Sequence, residues 1–315
     1  MIINSIVIPA HNEYENLLEL LKKIEKEFSF EINQKQIEVI IVNDGSTDNT
    51  KAKLLNEIKN NKASVKIIHL IQNKGKHFAL EIAFNYTMGK NIIIMDADQQ
   101  YNVEDIKKLI NKLDEGYDLV NGKRKNRNDD KLTIITSKFY NKLIKIFLRI
   151  KCEDFFSGLK IFKKEIIKVN NYRDLCRFII VLADNNNFRI TEIDISHNKR
   201  SFGKSKYNFL SRVHLSINDI ITIFFLKLIN KYKIYLLNIY SRFALVFTMI
   251  YQILSGFFKD DFNLSFLLEN KLVLSLILLN IVSITLSSIL DIYENHHRKS
   301  FEDRKKNLDY IEENE

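Results

Sequence analysis

The chain has 315 residues, with 48 Lys and Arg against 39 Asp and Glu, a net charge of +9. That length holds one large domain or two smaller ones, and the positive balance favours anionic partners such as nucleotides, phosphates or acidic lipids. Cys152 and Cys176 show no metal-ligand spacing and read as free thiols in a reducing compartment rather than a disulfide framework. The opening MIINSIVIP lacks the basic start and cleavage site of a signal peptide.

In chain order, residues 1–125 alternate short β-branched runs with helical patterns. Strands are predicted at Ile3–Pro9, Ile37–Asn43, Val65–Ile71, Asn91–Met95 and Asp118–Asn121. Between the first two, Leu17, Leu20, Leu21, Ile24 and Phe28 fall on one helical face; later, Val103, Ile106, Leu109, Ile110 and Leu113 do the same, with Asn102 placed as N-cap and Gly116 as the stop. Strands alternating with helices predict an α/β fold with a mostly parallel, doubly wound, Rossmann-like sheet. Ligands of such sheets bind beyond the carboxyl ends of the strands, which directs attention to the residues after Pro9, Asn43, Met95 and Asn121.

Further along, Ile134–Ile150 reads as a basic amphipathic helix carrying Lys138, Lys142, Lys145 and Arg149, as fit for a membrane surface as for solvent-exposed packing on the domain. The last third changes character. Phe243–Phe258, extended by Tyr235–Tyr240, and Leu272–Leu290 are apolar, and a spanning helix needs about 20 such residues. Lys227, Lys231, Lys233 and Arg242 flank one side and Arg298, Lys299, Arg304, Lys305 and Lys306 the other, so the positive-inside rule puts both flanks in the cytoplasm. The expected organisation is a catalytic domain over 1–210, an amphipathic juxtamembrane helix over 211–234, a two-helix transmembrane anchor over 235–292 and a charged cytoplasmic tail over 293–315. That makes a multi-pass protein of the inner (cytoplasmic) membrane, with its catalytic domain facing the cytoplasm; the alternative for the two apolar runs is a buried helical hairpin in a soluble protein.

Four segments carry chemistry. In IIIMDADQQ, residues 92–100, an apolar strand delivers Asp96 and Asp98 at its end. Side chains two apart on extended backbone point the same way, and two hard carboxylate oxygens suit Mg2+ or Mn2+ with substrate phosphates completing the shell. Gln100 continues the spacing as a third, neutral ligand. In VIPAHNE, residues 7–13, Pro9 ends the first strand, Asn12 is placed to cap the next helix and Glu13 falls in its first turn, and taken alone this segment reads better as ordinary strand-to-helix punctuation. In VIIVNDGSTDNT, residues 39–50, Gly45 permits a tight turn, Ser46, Thr47 or Asp48 can cap a helix, and Asp44 can accept hydrogen bonds from a base or ribose, or simply shape the loop. A scattered basic and polar set follows: GKR at 122–124, DFFSGLK at 154–160 and HNKRSFGKSKY at 197–207, where cations can meet a diphosphate or serve as a solvated basic loop beside an acidic membrane. The basic residues lack interleaved aromatics on one face, which excludes a nucleic-acid surface.

Taken in order and spacing, these motifs resemble the family-2 glycosyltransferases of the GT-A fold, in the branch of dolichyl-phosphate mannose synthases and bacterial polyprenyl-phosphate glycosyltransferases, from Ile6 to about Tyr207. The resemblance implies that Pro9, His11, Glu13 and Asp44 line the nucleoside pocket and that Asp96, Asp98 and Gln100 hold the metal and, through it, the diphosphate of a UDP- or GDP-sugar. It implies that Arg124 is the arginine of a Gly-Ser-Arg-like motif at the donor, that Asp154, Ser157 and Gly158 match the acceptor-side motif, and that Arg200, Ser205 and Lys206 match a basic loop meeting phosphates near the membrane. Asn43 and Lys160 depart from the family pattern, which usually has Asp and Arg there, and Lys cannot give a planar bidentate contact. The expected acceptor is a polyprenyl phosphate. A glycan hydroxyl, with Asp154 as base, and a non-catalytic nucleotide-sugar-binding scaffold are the alternatives. The oligomeric state is left open, a homo-oligomer included.

Overall fold

The structure, a computed structural model, describes residues 1–48, 64–125, 152–169, 178–199 and 308–313, with single positions between 50 and 54, 134 and 145, and 243 and 285. The chain divides into two units: Met1–Ile223 together with Lys299–Glu315, and Phe224–Arg298.

The first unit is built on an eight-stranded sheet: β1 (Asn4–Ala10), β2 (Ile37–Asn43), β3 (Ser64–Leu70), β4 (Asn91–Ile94), β5 (Leu119–Lys125), β6 (Lys160–Lys163), β7 (Ile190–Ser196) and β8 (Leu308–Glu313), in the spatial order β7-β5-β6-β4-β1-β2-β3-β8. β1 pairs in parallel with β2 and β4, β2 with β3, and β5 with β7, while β6 and β8 run against their neighbours. The sheet is therefore mixed but mostly parallel, as the alternating pattern predicts. β1 and β2 are buried along their whole length, which is why their sequences are near-continuous apolar runs rather than alternating ones.

Helices α1 (Tyr14–Glu27), α2 (Ser29–Asn33), α3 (Lys76–Tyr86), α4 (Glu104–Asp114), α5 (Glu165–Val169) and α6 (Ile179–Asn185) are fully described. The predicted apolar faces are the ones that pack: Leu17, Leu20, Leu21 and Ile24 of α1 with Phe28 beyond its end, and Ile106, Leu109 and Leu113 of α4, join Ile6, Ile8, Val39, Ile41 and Ile93 in one core. Gly116 stops α4 with φ +99°, its N–H donating to Leu113. The expected N-caps are corrected. Glu13 and Val103 hold those positions without side-chain caps. Asn12 and Asn102 turn their amides to other loops, as described below, because each finds better-placed long-range partners.

Four of the five predicted strands are displaced by no more than one residue at either end. The fifth is longer: β5 continues through Gly122, Lys123 and Arg124 because these pair with Ile193, Asp194 and Ile195 of β7. GKR is thus strand, not loop. β6, β7 and β8 were not foreseen. β8 comes from the segment read as a charged tail; it adds to the outer edge of β3 with Ile68 opposite Ile311 and Lys66 opposite Glu313.

In the stretch 134–150 the described positions are helical, Ile144 is buried, and Lys138, Lys142 and Lys145 are exposed. In the second unit Phe243, Val246, Ile250, Ile281 and Val282 are helical and 50–71% exposed. Among the described residues no helix is long and apolar enough to cross a membrane. Apart from those few positions, both predicted spans and the segment 211–234 lie outside the described residues.

Candidate active site

The strand order reverses at β1, which has β2 on one side and β4 on the other, and in such sheets the ligand crevice lies beyond the carboxyl ends at that switch point. The reversed strand β6 completes it. Lys160, the first residue of β6, pairs with Ile94, the last of β4, and with Asn121 of β5. An antiparallel strand starting where β4 ends delivers the preceding residues, Ser157 and Gly158, to the place where the chain after β4 emerges with Asp96. Gly158 is in fact so close that a Cβ there would overlap the Asp96 carboxylate.

Asp96 and Asp98 sit in the turn after β4. Asp96 retains 26% side-chain exposure and Asp98 is buried. Lys76, the first residue of α3, forms an ion pair with Asp96 Oδ1. Burial opposes the Lys76 charge, but the Asp96 carboxylate, helped by Tyr101 and Asp98, outweighs it and holds the ammonium above its ordinary range. Lys76 thus feels both carboxylates, that of Asp96 in direct contact and that of Asp98 more weakly. Gln100 does not follow them. The extended spacing breaks where Gln99 adopts φ +59° and buries its amide against α1, between Lys23, Glu19 and the Asn16 carbonyl. Gln100 donates its backbone N–H to Asp98 Oδ1 at 3.3 Å and its amide N–H2 to the Asn198 carbonyl at 3.4 Å, so the residue expected as a third metal ligand ties this turn to the end of β7. Asn102 adds to that tie, accepting from Asn198 Nδ2 at 2.6 Å.

The loops after β1 and β2 are latched together. Asn12, at φ +56°, accepts from the Thr47 and Asp48 N–H groups at 2.9 and 3.4 Å and donates to Thr47 Oγ1, while its own N–H reaches Ser46 Oγ at 2.9 Å. His11 Nδ1 lies 2.7 Å from the Asp44 carbonyl. Pro9 is the penultimate residue of β1, and Glu13 bonds Asn16 Nδ2. The Asp44 carboxylate, expected at a base or ribose, is buried and takes the N–H groups of Lys74 and Gly75 at 2.7 and 2.8 Å. Its first task is to fold the loop that leads to Lys76. Gly45, at φ +59°, passes against that same loop so closely that any side chain would overlap the backbone of Gln72 and Asn73.

On the other wall, Arg124 at the end of β5 grips Asp154 with a two-pronged fork, Nε to Oδ2 and Nη2 to Oδ1, each at 2.7 Å, and its backbone N–H adds a third bond to Oδ2 at 3.2 Å. Both side chains are nearly buried, 11% and 8% exposed. The loop bearing Asp154 is held from behind by Glu192 of β7 and by Lys160, whose Nζ donates to the Phe155 carbonyl at 3.2 Å. Burial lowers Lys160 to about 8. Tyr101 closes the floor: its hydroxyl accepts from the Gly158 N–H at 2.7 Å and its ring stands edge-on to His197 at 5.5 Å. Burial raises the Tyr101 phenol above its ordinary range.

Of the site residues read from sequence, Asp96, Asp98, Gly158 and Asp44 thus converge on the crevice through Lys76 and its loop, and Arg124 and Asp154 form one unit beside it. Arg200, Ser205 and Lys206 lie outside the described residues. Lys76 and Glu192 were missed. Lys76 was within reach of the strand-end rule, because the third strand also ends there and Asn73-Lys74-Gly75-Lys76 opens a helix; Glu192 sits in a strand with no pattern that marks it. A divalent metal fits the donor set. Asp96 and Asp98 carry hard carboxylate oxygens, a donor type that suits an ion completing its shell with substrate phosphates and water.

Comparison with known proteins agrees with this geometry. The family model described as Glycosyl transferase family 2 matches residues 5–170. Among solved structures, glucosyl-3-phosphoglycerate synthase from Mycobacterium tuberculosis in complex with phosphoglyceric acid is similar at 16% identity and TM-score 0.52, over 70% of this chain and 78% of that one. The same enzyme with Mn2+, UDP-glucose and phosphoglyceric acid matches at 15% identity and TM-score 0.52, over the same shares. Mannosyl-3-phosphoglycerate synthase from Rubrobacter xylanophilus matches at 16% identity and TM-score 0.52, over 70% of this chain and 73% of that one. These likenesses establish a GT-A-like α/β fold.

Proposed function

Because the chain belongs to glycosyl transferase family 2, we propose that this glycosyltransferase moves a sugar from a UDP- or GDP-linked donor to a polyprenyl phosphate at a membrane surface, with Mg2+ or Mn2+ at Asp96 and Asp98. The observation that carries the reading is the gathering of Asp96, Asp98, Lys76 and Gly158 in one crevice beside the fixed Arg124 guanidinium. The donor half has a counterpart in the glucosyl-3-phosphoglycerate synthase solved with Mn2+ and UDP-glucose.

The reaction is a direct displacement with inversion. An oxygen of the acceptor phosphate attacks the anomeric carbon. The bond from that carbon to the diphosphate breaks, and its electron pair leaves with the nucleoside diphosphate. A bound metal would stabilise the charge that develops there. Lys76 adds a cation at the same place, Arg124 presents a guanidinium plane to phosphate oxygens, and Tyr101 and Gly158 shape the floor. A phosphate monoester has its second pKa at about 6 and is already ionised at neutral pH, so no base is required.

This point separates the reading from transfer to a glycan hydroxyl, which needs a base. The candidate base Asp154 already has both oxygens accepting from Arg124, which suits a positioning group better than a proton acceptor. The apolar runs Phe243–Phe258 and Leu272–Leu290 with their basic flanks support a lipid acceptor and an inner-membrane anchor with the catalytic domain facing the cytoplasm. The test is to incubate membranes containing the full chain with labelled UDP- and GDP-sugars, adding polyprenyl phosphate or soluble phosphoglycerate. The expected result is a charged, lipid-extractable product that depends on Mg2+ or Mn2+. Label confined to polysaccharide or to phosphoglycerate would overturn the lipid acceptor. A cellular phenotype unchanged by Asp98→Ala would favour the scaffold.

A further inference from the structure

Glu192, on β7 and outside every motif discussed so far, is the acceptor for four donors. Its Oε1 takes Asn121 Nδ2 at 2.8 Å, the Cys152 thiol at 2.9 Å and the Asp154 N–H at 3.1 Å; its Oε2 takes the Glu153 N–H at 2.6 Å. Asn121 Nδ2 also reaches the Asp154 carbonyl at 2.8 Å. One carboxylate on a rigid strand thus fixes three successive residues of the turn whose third member, Asp154, sets the plane of Arg124. Charge-assisted bonds of this kind are roughly twice as strong as neutral ones. Cys152 is fully buried behind the turn, and burial, reinforced by the Glu192 charge, pushes its thiol far above the ordinary range. It stays a protonated donor to Glu192.

We propose that Glu192 is a positioning residue: it locks the Cys152–Asp154 turn to β7 and thereby holds the Arg124–Asp154 fork at the edge of the active-site crevice. A buried ion pair repays its desolvation only in good geometry, and the plane of the Arg124–Asp154 fork follows the backbone of the turn that Glu192 holds. Glu192 itself is fixed by its strand, paired across the sheet from Asn121 in the β5–β7 ladder. The proposal rests on Arg124 and Asp154 serving the transferase site.

The test uses Glu192→Gln in the full-length protein. The glutamine keeps one acceptor oxygen but turns an N–H2 toward the Glu153 N–H. With Arg124 present, kcat/KM is expected to fall about tenfold, the worth of one charge-assisted bond. In an Arg124→Lys background, where no fork remains to be set, the same change is expected to cost less than twofold, because residues acting through one unit do not multiply. Independent losses that multiply, or a Glu192→Gln enzyme as active as its parent, would overturn the proposal. A second measurement needs no substrate. In a Cys176→Ser background, the native-state rate at which a maleimide labels Cys152 is expected to rise at least tenfold in Glu192→Gln at an unchanged melting temperature; an unchanged labelling rate would sink the lock even if the acceptor assignment stands. If the parent enzyme labels no lipid phosphate yet the labelling rate rises, the acceptor reading fails and the lock survives.

Discussion

Replacing Asp154 tests whether this carboxylate acts by holding Arg124 or by taking a proton. Asp154→Ala strands a guanidinium that is only 11% exposed, opposite a partner that was 8% exposed. Removing one member of such a buried pair costs about 3–5 kcal/mol. At roughly 2–4 °C per kcal/mol for a domain of this size, melting is expected about 6–20 °C lower. Asp154→Asn keeps one oxygen for the fork and loses the charge, a change worth about 1.5–3 kcal/mol, which corresponds to about a ten- to hundredfold loss of kcat/KM if the whole of it falls on the transition state. The assay is kcat/KM for lipid phosphate against pH in detergent micelles, with melting followed in parallel. The acid limb near pH ~6 belongs to the acceptor phosphate and is expected to persist in Asp154→Asn with its midpoint unmoved. Disappearance of that limb would show that the titrating group is Asp154 rather than the acceptor phosphate, and that Asp154 acts as a base. An Asp154→Ala protein as stable as the parent would refute the energetic reasoning behind the fork.

Three further outcomes follow from the same geometry. Asp96→Asn removes a hard ligand and the partner of Lys76; turnover is expected to fall by about 10²-fold or more with loss of Mn2+ stimulation, and parent activity indifferent to chelator would contradict the metal assignment. Gly158→Ala puts a methyl into the space of the Asp96 carboxylate and against the Tyr101 ring; the Mn2+ concentration for half-maximal activity is expected to rise about tenfold while melting changes little, and an unshifted titration would count against this close approach. Lys160→Met bears on pH: burial holds Lys160 near 8 in the folded chain against about 10.4 unfolded. Below pH ~8 the lysine is protonated in both states and carries the full penalty of a buried charge. Between about 8 and 10 the unfolded chain binds the extra proton, so the parent gains stability relative to Lys160→Met by up to about 3 kcal/mol across that window. Urea denaturation at pH 7 and pH 10 measures the difference, and an equal gap at both would refute it.

The sequence determined the parallel half of the sheet and the acidic turn. β1 to β4 and helices α1 and α4 announce themselves because each must bury one continuous apolar run or stripe, and that periodicity is local. Asp96 and Asp98 stood out because they follow an apolar strand, although an acidic pair alone reads equally as a solvated turn. What the sequence did not contain was the placement of β6, β7 and β8. Their pairings join residues far apart in the chain, such as Ile94 with Lys160, Arg124 with Ile195 and Ile68 with Ile311, and no local pattern encodes a partner. From those pairings come the tertiary decisions about the site. Gly158 lies on Asp96 because β6 is reversed. Arg124 is fixed because β5 runs on beside β7. Lys76 faces the acidic turn because Asp44 folds the loop before it. Gln100 meets Asn198 because the backbone turns at Gln99, where a period of two no longer holds. Residue types with hard oxygens or fixed charges can be read one by one; whether they meet depends on strand direction and order, which only the folded sheet supplies.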